Sequence, residues 1–253
     1  MKIQFSAILY LFIWINYTSY SQVSIDTLTK IQKTDKIFNY KQILIPIAFI
    51  GYGVLGLESG QIKGFNSEIK EEVSEHIDKK VTIDDFMQYL PAASLYGLSA
   101  IGIKGKSNFR DKTIILATSY MLMGLSVNLL KKTIQVERPD GSGFNSFPSG
   151  HTATAFMGAE LMYQEYKDKS VWYGISGYVI AASTGAFRIY NNRHWLSDVA
   201  AGAGIGIISA KVGYWLYPIT TKWFPKKKLN SSKTVLIPLY DGHNTGFGLL
   251  KSF

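Results

Sequence analysis

Three clusters of side chains in this 253-residue sequence could together handle a phosphoryl group. The first runs from Lys131 to Arg138-Pro139, the second is Pro148-Ser149-Gly150-His151, and the third holds Arg188, His194 and Asp198. In the third, His194 and Asp198 stand four apart, so one helical turn would bring them onto one face. A carboxylate on one ring nitrogen fixes the tautomer and leaves the other nitrogen free as a nucleophile. Arg188 is a fork-shaped cation suited to phosphate oxygens. In the second cluster, Ser149 and Gly150 would open a helix whose free N–H groups attract anions, and glycine allows close backbone approach. His151 would then sit beside the anion as a proton donor. Taken singly, each cluster has an ordinary reading. An isolated His-x-x-x-Asp is more often structural, Pro-Ser-Gly-His also describes a turn and helix cap, and Lys131-Lys132 also describes a solvated helix end. Together the balance changes. Lys131, Arg138 and Arg188 converge on holding a phosphoryl group and stabilising charge on its oxygens, beside two of the chain's four histidines.

The elements that must position these groups read as helices. Apolar stretches lie near 42–57, 87–103, 113–130, 152–164, 171–187 and 199–217. Each approaches the roughly 20 residues that cross a bilayer, although 152–164 is short and carries Glu160, and the last carries Lys211. Every chemical cluster falls at the start or end of a stretch, where a chain presents polar groups from a rigid scaffold. Gly202, Gly204 and Gly206, interleaved with alanines, would let the last helix pack closely. Between the first two stretches, Ile69, Val73 and Ile77 recur every fourth residue in a charged segment, 58–86, and predict a short amphipathic helix. Thr82 and Asp85 predict a capping box opening the next helix. His76 falls in the charged segment and reads as a solvated surface residue. Beyond the basic run Lys226-Lys227-Lys228, residues 233–240 and 245–252 flank Asp241-Gly242-His243-Asn244 as a β-hairpin, with His243 in a turn role. The expected fold is all-α: a helical bundle of about six core helices, largely membrane-embedded, with a short C-terminal β-hairpin.

In this order and spacing, Lys131-x6-Arg138-Pro139, Pro148-Ser149-Gly150-His151 and Arg188-x5-His194-x3-Asp198 resemble the three-part signature of the type 2 phosphatidic acid phosphatase family. That superfamily also includes bacterial non-specific acid phosphatases and vanadium haloperoxidases. Phe187 precedes Arg188 where the family's third motif often opens Ser-Arg, which puts one supporting hydrogen bond in question. The resemblance implies that His194 attacks phosphorus to form a phosphohistidine and that Asp198 orients it. It implies that His151 protonates the leaving alcohol and then activates water. It also implies that Lys131, Arg138, Arg188, Ser149 and the Gly150 N–H hold the phosphoryl oxygens. No metal or other cofactor is then required.

The bulk properties agree with such chemistry. A net charge of +9 suits an anionic partner, and the absence of cysteine excludes thiolate catalysis, thiolate metal sites and disulfides. Lys2, the apolar run Phe5 to Ile15, and the small residues Ser19 and Ser21 predict an export signal or anchor over 1–21. A polar lead-in follows over 22–41, then a helical phosphatase domain over 42–217 and a basic tail over 218–253. The leading expectation is a metal-independent phosphatase of a membrane lipid in the cell envelope, facing the periplasm, with no nucleic-acid partner. Alternatives are a soluble exported acid phosphatase, a vanadate-dependent haloperoxidase and a non-enzymatic basic binder. The first differs in detergent-free solubility, the second in halide-dependent bromination, and the third in tolerating loss of His194.

Overall fold

The computed structural model describes residues 40–75, 82–225, 234–240 and 245–251. The predicted signal, nearly all of the lead-in, His76, the basic run 226–228 and the hairpin turn with His243 lie outside the described residues. A single 3-10 turn, Tyr40–Ile43, leads into α1 (Leu44–Leu55). Then come α2 (Gly60–Glu75), the single-turn α3 (Asp84–Met87), α4 (Leu90–Ala100) and α5 (Phe109–Thr133). The remaining helices are α6 (Gly150–Tyr166), α7 (Val171–Tyr190) and α8 (Leu196–Trp223), followed by β1 (Thr234–Tyr240) and β2 (Thr245–Lys251). The strands pair antiparallel, Tyr240 opposite Thr245 and Thr234 opposite Lys251.

Helix α6 is the centre of the bundle, with α4, α5, α7 and α8 around it. Twelve of its seventeen residues are buried, and it carries little amphipathic bias because neighbours cover it on nearly every side. Close approach of α8 rests on its glycines. A Cβ on Gly202 would lie 2.4 Å from the Ser149 carbonyl, and one on Gly206 would lie 2.2 Å from that of Ala153. Gly204 faces the other way, against the Pro46 carbonyl of α1. Between membrane helices, where burial from water supplies no drive, such small-residue contact is a main source of association.

Among the described residues, two helices are long and apolar enough to cross a membrane, Phe109–Thr133 and Leu196–Trp223. A third span arises if α1 and α2, bent by 91° at their junction, count as one. The six stretches therefore do not all have spanning length: α1 has 12 residues and α4 has 11. At 1.5 Å per residue each reaches only about 18 Å, against roughly 30 Å of hydrocarbon. The apolar run at 87–103 is cut short because Pro91 sits in the first turn of α4 and Gly102, at φ +92°, ends it. Exposed Met121, Leu125 and Leu129 form one outward stripe along α5. Exposed Trp172, Trp223 and Phe109 lie together at one end of the bundle, an arrangement suited to a membrane interface.

The two charges inside the apolar stretches find each other. Lys211 Nζ lies 2.6 Å from Glu160 Oε1, and Tyr178 Oη donates to the other carboxylate oxygen. The predicted Thr82–Asp85 capping box does not form. Residue Ile83 caps α3 without a side-chain bond, and only the backbone N–H of Asp85 meets the Thr82 carbonyl. The carboxylates of α3 have other partners, described below.

Candidate active site

The C-terminal ends of α5 and α7 and the N-terminal ends of α6 and α8 meet at one end of the bundle. They bring the three sequence clusters together. Lys131, in the last turn of α5, donates from Nζ to the carbonyls of Asn145 and Ser146. Arg138 Nε donates to Asn145 Oδ1 at 2.8 Å, so one loop residue holds both cations. The Ser149 N–H donates to the Asp198 carbonyl at 3.0 Å, which ties the second motif to the third through the backbone. Ser149 is fully buried, and its hydroxyl shares a 2.8 Å bond with that of Thr152. Its side chain is thus engaged within α6. Gly150 is the first helical residue, and helix geometry leaves its N–H without an intrahelical acceptor.

His194 and Asp198 come together for a reason other than a shared helix face. Helix α8 starts only at Leu196, with Trp195 as its cap. Asp198 is the third helical residue, and its Oδ2 accepts the Trp195 N–H at 3.0 Å, as a capping carboxylate does. His194 lies just outside the helix, where a tight turn through Asn192 at φ +55° returns its N–H to the Arg188 carbonyl at 3.3 Å. Asparagine tolerates that left-handed conformation better than most residues. His194 Nδ1 ends 3.7 Å from Asp198 Oδ2, an electrostatic rather than a hydrogen-bonding distance. Ser146 fills the gap: its hydroxyl donates to Asp198 Oδ2 at 2.5 Å and lies 3.4 Å from His194 Nδ1. Trp195 Nε1 donates to the Glu137 carbonyl at 2.8 Å and pins this turn to the loop carrying Arg138.

His194 is 2% exposed. Burial holds its pKa down at about 4; Asp198 opposes that effect, and Lys131 and Arg188 add to it. The ring is therefore neutral at ordinary pH, the form that can attack. Burial lowers the pKa of Arg138 also, and Arg188 and Arg193 lower it further. Like charges crowd here, and a bound anion would relieve their repulsion.

Arg188 is 7% exposed. Its Nη1 donates to Asp84 Oδ2 at 2.6 Å, while its buried Nε has no hydrogen-bond partner among the described residues. Asp84, 1% exposed, also accepts from Asn191 Nδ2 at 3.2 Å. Asp85 Oδ1 lies 2.9 Å from His151 Nε2 and 3.7 Å from Arg188 Nη1. The sequence reading brought none of Asp84, Asp85, Asn145 or Ser146 to the site. The adjacent pair Asp84-Asp85 was visible as charge, but the helix-cap pattern absorbed it. Nothing in the sequence marks Asn145 or Ser146.

Residues 112–222 match the PAP2 superfamily. The chain is 44% identical over 135 residues to a lipid A 1-phosphatase of Porphyromonas gingivalis, covering 53% of this chain and 30% of that protein. It is 28% identical over 169 residues to a probable diacylglycerol pyrophosphate phosphatase of Schizosaccharomyces pombe, covering 50% of this chain and 60% of that one. The matches thus span less than two thirds of either relative. The crystal structure of LpxE from Aquifex aeolicus is similar at 24% identity and a TM-score of 0.46, covering 59% of this chain and 94% of that one.

Proposed function

Residues 112–222 are a PAP2-superfamily region, and from that premise we propose that this chain is a phosphatase of a phosphorylated membrane lipid, working through a phosphohistidine. The observation that carries the reading is Arg188. Its Nε is a buried cationic donor with no acceptor among the described residues, set beside a buried neutral histidine and its carboxylate. Leaving such a donor unpaired costs about 1–3 kcal/mol, which a phosphoryl oxygen would recover. Lys131 and Arg138 supply further positive charge from the loop side, and the Gly150 N–H supplies a backbone donor.

The chemistry follows from these placements. The neutral His194 attacks phosphorus through Nε2, and the leaving oxygen departs with a proton from His151. Asp198, already compensated by Ser146 and the Trp195 N–H, faces the ring cation that forms on His194. Water then attacks the phosphohistidine, with His151 as base. The three cations stabilise the charge spread over the transferring group. A lipid substrate is supported by the apolar exposed stripe of α5, which ends at Lys131, and by the lipid phosphatase relatives.

The test is phosphate release in detergent. Phosphatidate, phosphatidylglycerol phosphate, an isoprenyl diphosphate and a lipid A phosphate would be compared with a soluble aryl phosphate. Turnover of at least one lipid well above the soluble ester is expected, unaffected by excess EDTA and inhibited by vanadate as a phosphate mimic. Activity abolished by EDTA and restored by magnesium would overturn the mechanism. Equal turnover of the soluble ester would favour a non-specific phosphatase.

A further inference from the structure

Two consecutive carboxylates on α3, ahead of the region matching the superfamily, reach two different site residues. Successive helical side chains diverge by about 100°, so a single turn can serve both. Asp84 points inward to Arg188 and Asn191, and Asp85 stands at the rim on His151. This arrangement rests on one short helix held between α4, α6 and α7.

We propose that Asp85 is a positioning residue for leaving-group protonation, holding Nε2 of His151 and favouring its imidazolium form, while Asp84 fixes the aim of Arg188. The inference rests on the phosphatase reading above. The proton that His151 gives passes from its other ring nitrogen to the leaving oxygen as the P–O bond breaks, and the ring returns neutral. Without a carboxylate beside it, His151 is poorly suited to carry that proton. Burial, first, and Arg188, second, lower its pKa below the usual histidine range. Asp85 and then Asp84 oppose them, and these are the charged groups that bear on the ring. Asp85 is half exposed, so its carboxylate can be replaced without opening a hole in the core.

Asp85→Asn keeps the shape and removes the charge. The His151 acid form should then be lost at lower pH, so the alkaline limb of kcat/KM moves to lower pH. At pH 7, turnover of an alkyl phosphate should fall on the order of tenfold or more, part of what a general acid supplies. An aryl phosphate, which leaves with little protonation, should change far less. Asp85→Glu should restore part of the alkyl activity. Histidine side-chain NMR of the same variants reads the His151 titration without any turnover: a lower midpoint in Asp85→Asn supports the assignment. An unmoved titration and pH profile, or an equal loss on both substrates, would overturn it. A rise in activity would also overturn it, by showing that Asp85 merely obstructs the substrate. Wild-type protein that hydrolyses no ester, yet shows the His151 shift, would sink the phosphatase reading and leave the pairing intact.

Discussion

At the residue scale, the site depends on a histidine that refuses a proton. His194 has a pKa held near 4, against an ordinary value of about 6.5. Attack needs the neutral ring, so the acid limb of kcat/KM attributable to His194 should lie near pH 4. The sign for stability follows by linkage. Between pH 6.5 and 4 the unfolded chain binds a proton that the folded chain does not, so stability falls as pH drops and the loss is complete below the folded value. The full effect is about 3 kcal/mol. His194→Gln should abolish turnover, and rapid quenching in alkali, where phosphohistidine survives, should trap no labelled enzyme; the same variant should lose less melting temperature between pH 7 and pH 4.5 than the wild type. Phosphohistidine still trapped in that variant would refute the nucleophile assignment. The sequence showed His194 and Asp198 as partners but gave the wrong reason for their meeting. Their four-residue spacing suggested a shared helix face, whereas Asp198 caps the helix that His194 precedes. Spacing alone does not say where a helix begins, and Ser146, the hydroxyl between them, sits in a loop without periodicity.

At the element scale, the glycines of α8 and the paired charges of α6 and α8 set how closely the bundle closes. A Cβ on Gly206 would press on backbone, Ala153 O at 2.2 Å and Met157 N at 2.9 Å, which cannot yield as a side chain would. Gly206→Ala should therefore destabilise the protein by roughly 1–3 kcal/mol. Gly124→Ala, on α5 with nothing within 4 Å, is the control. It should be neutral or stabilising by up to about 1 kcal/mol through helix propensity. Thermal unfolding in detergent compares the two, and equal effects would discount the packing role. The buried pair Lys211–Glu160 gives a second case. Lys211→Met alone strands a carboxylate that is 2% exposed, a loss of about 3–5 kcal/mol, and adding Glu160→Leu should recover much of it. Close packing by this glycine run was legible, because small residues at alternate positions have few other uses in an apolar helix. Which glycine meets which neighbour was not, since α1 and α6 contribute carbonyls and not a side-chain pattern. The Thr82–Asp85 cap failed for a related reason: the carboxylate had stronger partners, His151 and Arg188, far along the chain.

At the scale of the whole molecule, the two ends of the bundle differ in charge and task. The site end gathers the closing turns of α5 and α7 and the opening turns of α6 and α8. At the opposite end, Arg110 bonds to the carbonyls of Thr221 and Phe224, which joins the 104–112 loop to the end of α8. Lys104 and Lys106 are exposed there. Lys112 is buried and spends its ammonium on Leu95 O and Ser99 Oγ, so it carries no topological weight. By the positive-inside rule the remaining cations support the expectation that the site faces the periplasm. Helix α1 packs along the first part of α8, Pro46 on Gly204 and Gly53 on Ala201, and meets α2 at a 91° bend. A helix of about 18 Å that starts beside Gly204 and ends beside Ser197 does not cross by itself, so it adds no compulsory change of side. The chain has no cysteine, so single cysteines are clean reporters. In intact cells, an impermeant maleimide should label Phe65→Cys and Ser142→Cys, while Lys104→Cys reacts only after permeabilisation. Protection at 142 with labelling at 104 would invert the orientation, and with it the side of the membrane on which the phosphate is released.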